Sequence, residues 1–195
     1  MCCNTYIAIT KSQSLFKGEK NMTTWKIDKS HSEIKFKVKH LVVSTVTGQF
    51  NEFDATIESD KPDFSDAKIS FEAVINSIDT KNEQRDGHLK SADFFDAENY
   101  PKLTFVSKSI EKKSDSDYKV TGDITIRGTK KEITLDVIYN GTVKGFGNIE
   151  VAGFEITGKL NRFDFGLKWN TLTEAGGIVV GEEIKIEIAV ELNKA

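Results

Sequence analysis

The chain has 195 residues, 38% hydrophobic and 29% charged, which suits one globular domain with a sizeable core. Lys and Arg number 27 against 30 Asp and Glu, a formal net charge of −3, so no electrostatic drive toward nucleic acid or an anionic membrane surface exists. Thirteen Phe against two Pro, with many Val, Ile and Thr, favour strands over helices, because branched and aromatic side chains fit a pleated surface.

In chain order, residues 1–22 carry Ser12, Ser14, Lys17, Gly18, Glu19 and Lys20 without a sustained period, and read as a loosely ordered extension ahead of one domain at residues 23–195. The only cysteines, Cys2 and Cys3, are adjacent and in this tail, so they neither staple a core nor supply a spaced metal set. The apolar run Tyr6-Ile7-Ala8-Ile9 is too short for an export signal, and no small-residue cleavage pattern follows it. No apolar run approaches the roughly 18 residues of a membrane-spanning helix. These features predict a cytoplasmic chain without an integral membrane segment.

From Trp25 onward a period of two recurs. Ile34, Phe36, Val38 and His40 share one face of a first strand, with Lys35, Lys37 and Lys39 opposite. A second strand starts in one phase at Val46, Gly48 and Phe50 and resumes at Phe53, Ala55 and Ile57, so a bulge or bend is expected near Asn51-Glu52. Ile69, Phe71, Ala73 and Ile75 mark a third strand, and Leu103, Phe105 and Ser107 a fourth. Tyr118 to Ile126, Ile133 to Tyr139 and Ala152 to Leu160 follow in the same rhythm. The eighth strand, Val180, Glu182, Ile184, Ile186, Ile188, Val190 and Leu192, alternates most cleanly.

Eight sequential strands joined mainly by short polar turns favour an antiparallel meander, and closing it removes the exposed edges. The expected fold is all-β: an eight-stranded antiparallel up-and-down barrel about 25 to 30 Å tall, tall enough for a long thin apolar ligand. Such barrels are also found filled by their own side chains, so the pattern permits a cavity without requiring one.

The meander is interrupted once, between the third and fourth strands, by about 20 residues, long for a hairpin loop. Asn82 to Lys90 predicts a short helix despite Gly87, and Ser91 with Asp93 and Phe94-Phe95 predicts a further capped turn. This element is placed as a lid across one mouth of the barrel.

Trp25-x-x-Asp28-x-x-His31-Ser32, Phe36-x-Val38-Lys39-His40-Leu41, Ser44-x-Val46-x-Gly48-x-Phe50, Arg85-Asp86-x-His88-Leu89, Asp93-Phe94-Phe95-Asp96, Tyr100-Pro101 and Arg162-x-Asp164-Phe165-Gly166 together resemble the YceI-like family, lipocalin-like proteins associated with polyisoprenoid lipids. The match runs from about Thr24 to Leu192. The resemblance implies an extended eight-stranded barrel whose apolar pore holds a long isoprenoid chain. Many relatives resemble exported proteins with a signal peptide, and the front of this chain departs from them, so a periplasmic location is not carried over.

His40 continues the Ile34-Phe36-Val38 face, which puts a titratable ring beside an apolar space, either as a satisfied core histidine or as a contact to a ligand head group. His31 reads as a turn residue at the start of a strand, with a mouth-lining role as the alternative. His88 shares the lid helix with Arg85, which is expected to pin that helix by pairing with a carboxylate. Phe94, Phe95 and Phe105 either plug the barrel end or line its entrance, Arg162 with Phe165 either stacks to close an end or binds, and Trp169 is either pore wall or surface anchor.

The first functional expectation is a non-catalytic carrier or sequestering protein for a polyprenyl or isoprenoid-quinone lipid, requiring no cofactor. Its ligand-lining residues are His40, Phe36, Val38, His31, Arg85, His88, Phe94, Phe95, Phe105, Arg162, Phe165 and Trp169. The rival is a metal-binding protein or metal-dependent enzyme using His31, His40 and His88, although their spacing follows no short zinc pattern. Neither a Gly-x-Ser-x-Gly elbow nor a phosphate-binding glycine loop is present. A third reading is a sealed barrel acting as a protein-interaction module, and a two-fold homodimer follows from fold analogy alone.

Overall fold

The computed structural model describes residues 22–171 and 179–195. The extension expected over residues 1–22 lies, apart from Met22, outside them. Eleven strands form among the described residues: β1 (Thr24–Ile27), β2 (Glu33–His40), β3 (Ser44–Phe50), β4 (Phe53–Glu58), β5 (Lys68–Val74), β6 (Ile78–Asp79), β7 (Lys102–Lys112), β8 (Asp117–Ile126), β9 (Thr129–Lys144), β10 (Glu150–Asn161) and β11 (Val180–Lys194). One helix, α1 (Glu83–Lys90), stands between β6 and β7.

All the pairings are antiparallel, and they close a ring of eight positions. β11 pairs with β2 along Val180–Ala189 and with β1 along Leu192–Lys194, so β1 and β2 act as one interrupted stave. β3 and β4 form the next, β3 beside β2 and β4 beside β1, with the break at Asn51-Glu52 where the apolar phase slips. β5 and β6 make the third stave, and β7 to β11 the remaining five. Among the described residues, the closed ring leaves no long backbone edge exposed.

The inward faces are those of the alternation. On β8, Tyr118, Val120, Gly122, Ile124 and Ile126 are buried while their neighbours are more exposed. Two details differ from the sequence reading. The third strand stops at Val74, because Ile75–Ser77 turn into a single 3-10 turn in which the Ser77 hydroxyl donates to the Val74 carbonyl at 2.7 Å. On β11 the register with β2 shifts between Val180 and Ile184, which turns Glu182 outward from a face otherwise apolar.

Inner-face glycines keep the centre open. A Cβ on Gly48 would meet the Phe36 ring at 2.3 Å, one on Gly122 the Phe105 ring at 2.5 Å, and one on Gly158 the Leu135 side chain at 2.5 Å. These large side chains therefore lie flat along the wall over a residue with none, instead of reaching across the barrel.

Candidate functional site

The inward faces enclose a cavity of about 640 Å³ that runs the length of the barrel, from Ile27 and Phe64 to Val180 and Trp169. That volume is within the range of small-molecule sites. The condition for a sealed module, a lumen packed solid, is not met.

The end holding the β4–β5 connection is plugged. Phe64 is 5% exposed and meets Trp25 at 5.0 Å, Phe154 at 5.1 Å and Tyr139 at 5.6 Å between ring centroids. Its backbone is held at φ 56°, a left-handed conformation that costs about 1–2 kcal/mol in a residue with a Cβ. Asp66 ties the loop down by accepting from the Ser59 hydroxyl at 2.6 Å. Asp63 pairs with Lys112 at 3.0 Å and accepts from the Ser65 amide, and these contacts lower its pKa to about 2.

The opposite end carries the lid. Helix α1 begins where Asn82 Oδ1 accepts from the Arg85 amide at 2.9 Å and ends at Ser91, whose hydroxyl donates to the His88 carbonyl at 2.8 Å. Of its eight residues only Leu89 is apolar, so no apolar stripe glues it down. Polar ties hold it instead. Arg85 donates to the Thr80 hydroxyl at 2.7 Å and to the Thr80 carbonyl at 2.6 Å, while the same hydroxyl donates to Asp86 at 2.5 Å. The expected partner of Arg85, a carboxylate, is thus corrected to Thr80, because Asp86 is already engaged by the Thr80 hydroxyl and amide.

Behind the helix, His88 stands edge-on to Trp169 at 4.6 Å and to Phe94 at 5.1 Å, and its Nε2 lies 3.0 Å from Asp93 Oδ2. The rim is fastened by Arg162, only 3% exposed. Its guanidinium donates to the carbonyls of Gly181 at 2.9 Å, Trp169 at 2.8 Å, Val180 at 3.1 Å and Leu167. No carboxylate is within ion-pair distance of it among the described residues. Burial pushes its pKa down, opposed by nearby Glu182. A cation cradled by carbonyls joins the start of β11 to the Leu167–Trp169 segment.

Of the expected ligand-lining residues, Phe36, Val38, His40, Arg85, His88, Phe94, Phe95, Phe105, Arg162, Phe165 and Trp169 all border the cavity. His40 is half-buried, and its ring makes no hydrogen bond among the described residues. His31 is the correction: it lies on the outer wall near the plugged end, its side chain 64% exposed, where Nδ1 is 3.1 Å from Asp28 and 4.0 Å from Glu191. The loop after β1 turns it outward because Asp28 anchors that loop, accepting from the Ser30 hydroxyl and the Asn193 side chain. The proposed three-histidine set is consequently not assembled, since His40 and His88 border the cavity at the lid end.

Cavity residues that sequence reasoning missed include Asp63, Thr80 and Tyr118. Tyr118 was legible as the first member of an inward alternation, but Asp63 and Thr80 sit in connections that carry no period.

A closed antiparallel barrel around an apolar lumen, plugged at one end and lidded at the other, defines the lipocalin-like class. The YceI-like domain matches residues 25–192, and the chain belongs to that family. A UPF0312 protein of Staphylococcus aureus is 42% identical over 173 residues, covering 88% of this chain and 98% of its own. Among solved structures, the Campylobacter jejuni YCEI protein is 37% identical with a TM-score of 0.69, covering 86% of this chain and 96% of its own. A polyisoprenoid binding domain from Saccharophagus degradans shares the fold at 12% identity and a TM-score of 0.60, over 89% of this chain and 99% of its own.

Proposed function

We propose that this protein is a non-catalytic carrier or store for a long-chain isoprenoid lipid, of the polyprenyl or isoprenoid-quinone type, held along the barrel axis. The observation that carries this reading is the open lumen walled mainly by Ile, Val, Leu and Phe. Affinity comes from apolar burial, at roughly 25 cal/mol per Å² before the costs of association. The polyisoprenoid-binding domain of the same fold supports the ligand class. Exchange takes place at the lid end, because the lid helix carries a single apolar side chain and is held mainly by polar ties, whereas the Phe64 plug is held by apolar burial.

The test is organic extraction of purified protein followed by mass spectrometry, together with titration of a fluorescent isoprenoid analogue. A stoichiometric isoprenoid and saturable micromolar binding are expected. Recovery of no lipid together with no binding of the analogue contradicts the proposal.

A further inference from the structure

The lumen ends at a ring supplied by a loop, not by a stave. Phe64 sits in the β4–β5 connection and borders the cavity, as does Phe154. Trp25 and Tyr139, whose ring centroids lie 5.0 and 5.6 Å from that of Phe64, do not border it. The Phe64 ring therefore stands between the lumen and the rest of the aromatic cluster. Among the described residues that border the cavity, Phe64 alone has a left-handed backbone, at φ 56°. That conformation persists in a residue with a Cβ only where its surroundings over-determine it. Here they do. The Phe64 amide donates to the Lys61 carbonyl at 3.0 Å, the Phe64 carbonyl accepts from the Ala67 amide at 3.1 Å, and Asp66 accepts from the Lys61 amide at 3.2 Å as well as from Ser59.

We propose that Phe64 sets the length of isoprenoid that the lumen accepts: the hydrocarbon end of the ligand enters first, and its leading unit stops against the Phe64 ring. The inference rests on the lumen-binding reading above and adds the residue that selects among chains of one chemistry. Direction follows from the wall. Most polar side chains that border the cavity lie at the lid end, among them His40, Asn82, Gln84, Arg85 and His88, whereas Asp63 and Tyr118 at the plugged end are both engaged by Lys112. A polar terminus left at the lid keeps polar company, and a hydrocarbon terminus loses nothing against a phenyl ring. Each isoprene unit added inside the lumen raises affinity by burial, while a unit added after the chain has reached Phe64 stays outside and adds none. Pushing the ring aside would break its contacts with three other rings and the loop bonds that hold it.

The experiment titrates the full chain with the all-trans prenols from geraniol to solanesol, which differ only in the number of isoprene units, and repeats the series with Phe64→Ala and Ala67→Leu. Ala67 borders the cavity and is bonded through its amide to Phe64, so the side chain added by Ala67→Leu raises the floor, whereas Phe64→Ala lowers it. Wild-type affinity is expected to rise roughly tenfold per unit up to a break and to stay level beyond it. In Phe64→Ala the break moves to a longer prenol, by about one unit because a phenyl ring and an isoprene unit are similar in size. In Ala67→Leu it moves to a shorter one. A wild-type series without a break, or a break unmoved in a folded variant, overturns the role of Phe64, and so does a Phe64→Ala loss spread evenly over the whole series. If Phe64→Ala does not fold, the direction of the Ala67→Leu shift decides. Failure of wild type to bind any prenol overturns the lumen reading itself, a result distinct from affinity that rises along the series without a break.

Discussion

The two ends of this barrel are closed by opposite kinds of chemistry. At the plugged end, four aromatic rings, Trp25, Phe64, Tyr139 and Phe154, converge with Phe64 at their centre. At the lidded end a helix with one apolar residue is held by hydrogen bonds to Thr80 and by ring contacts of His88. Burial of a ring is cooperative with the whole core, whereas a short helix held by a few part-buried hydrogen bonds opens locally. The difference teaches that one fold can close its two ends by different means, an aromatic plug for a floor and a helix tied mainly by hydrogen bonds for a lid.

The strongest way to break this comparison is at the floor. Phe64→Ala is expected to cost about 3–5 kcal/mol in urea or thermal unfolding, the range for a buried ring replaced by a cavity. A loss confined to the loop around it, with global stability intact, would make the floor no firmer than the lid. Next in size is Arg162→Ala, expected to cost about 2–4 kcal/mol because four carbonyls lose their donor, with the loss visible as faster amide exchange at the start of β11.

Thr80→Val sharpens the contrast from the other side. It removes the hydroxyl that joins Arg85 to Asp86, and is expected to speed amide exchange across α1 and to accelerate ligand release while lowering global stability by no more than about 1 kcal/mol. Acid acts on the floor. The folded-state pKa of Asp63, about 2, is below its ordinary 3.8, so its contribution is complete above the ordinary value and is lost as pH falls toward 2. Asp63→Asn is therefore expected to flatten the stability profile between about pH 4 and pH 2, measured by urea unfolding at stepped pH.

The smallest effect belongs to the outer wall. Asp28 raises the pKa of His31, first through their hydrogen bond, with Glu191 adding to the shift. The stability linked to its protonation is present below the ordinary 6.5 and fades as pH rises through the raised value. Its proton NMR titration midpoint is expected above that of a free histidine, and His31→Ala is expected to leave ligand affinity unchanged.

Most of the barrel was legible because every stave keeps one apolar face, and a phase slip such as that between Phe50 and Phe53 can only mean a bend. The lid helix was legible from the helix formers between Asn82 and Lys90, while the capping role of Asn82 emerges from the structure. Short β1 and β6 were not read as separate strands, since four and two residues hold too little pattern to stand out. The lumen wall was readable as the sum of the inward faces, but the outward turn of His31 depended on Asp28, Ser30 and Asn193 meeting across the fold. The identity of Thr80 as the lid's anchor is likewise a property of groups that meet only in the fold.

The most direct test of a lumen built to hold an elongated apolar molecule is a crystal structure of the protein grown with phytol. Continuous density along the barrel axis between Phe64 and the lid is the predicted result. An empty lumen with saturating phytol present, or phytol seated only on the outer wall, would contradict the account.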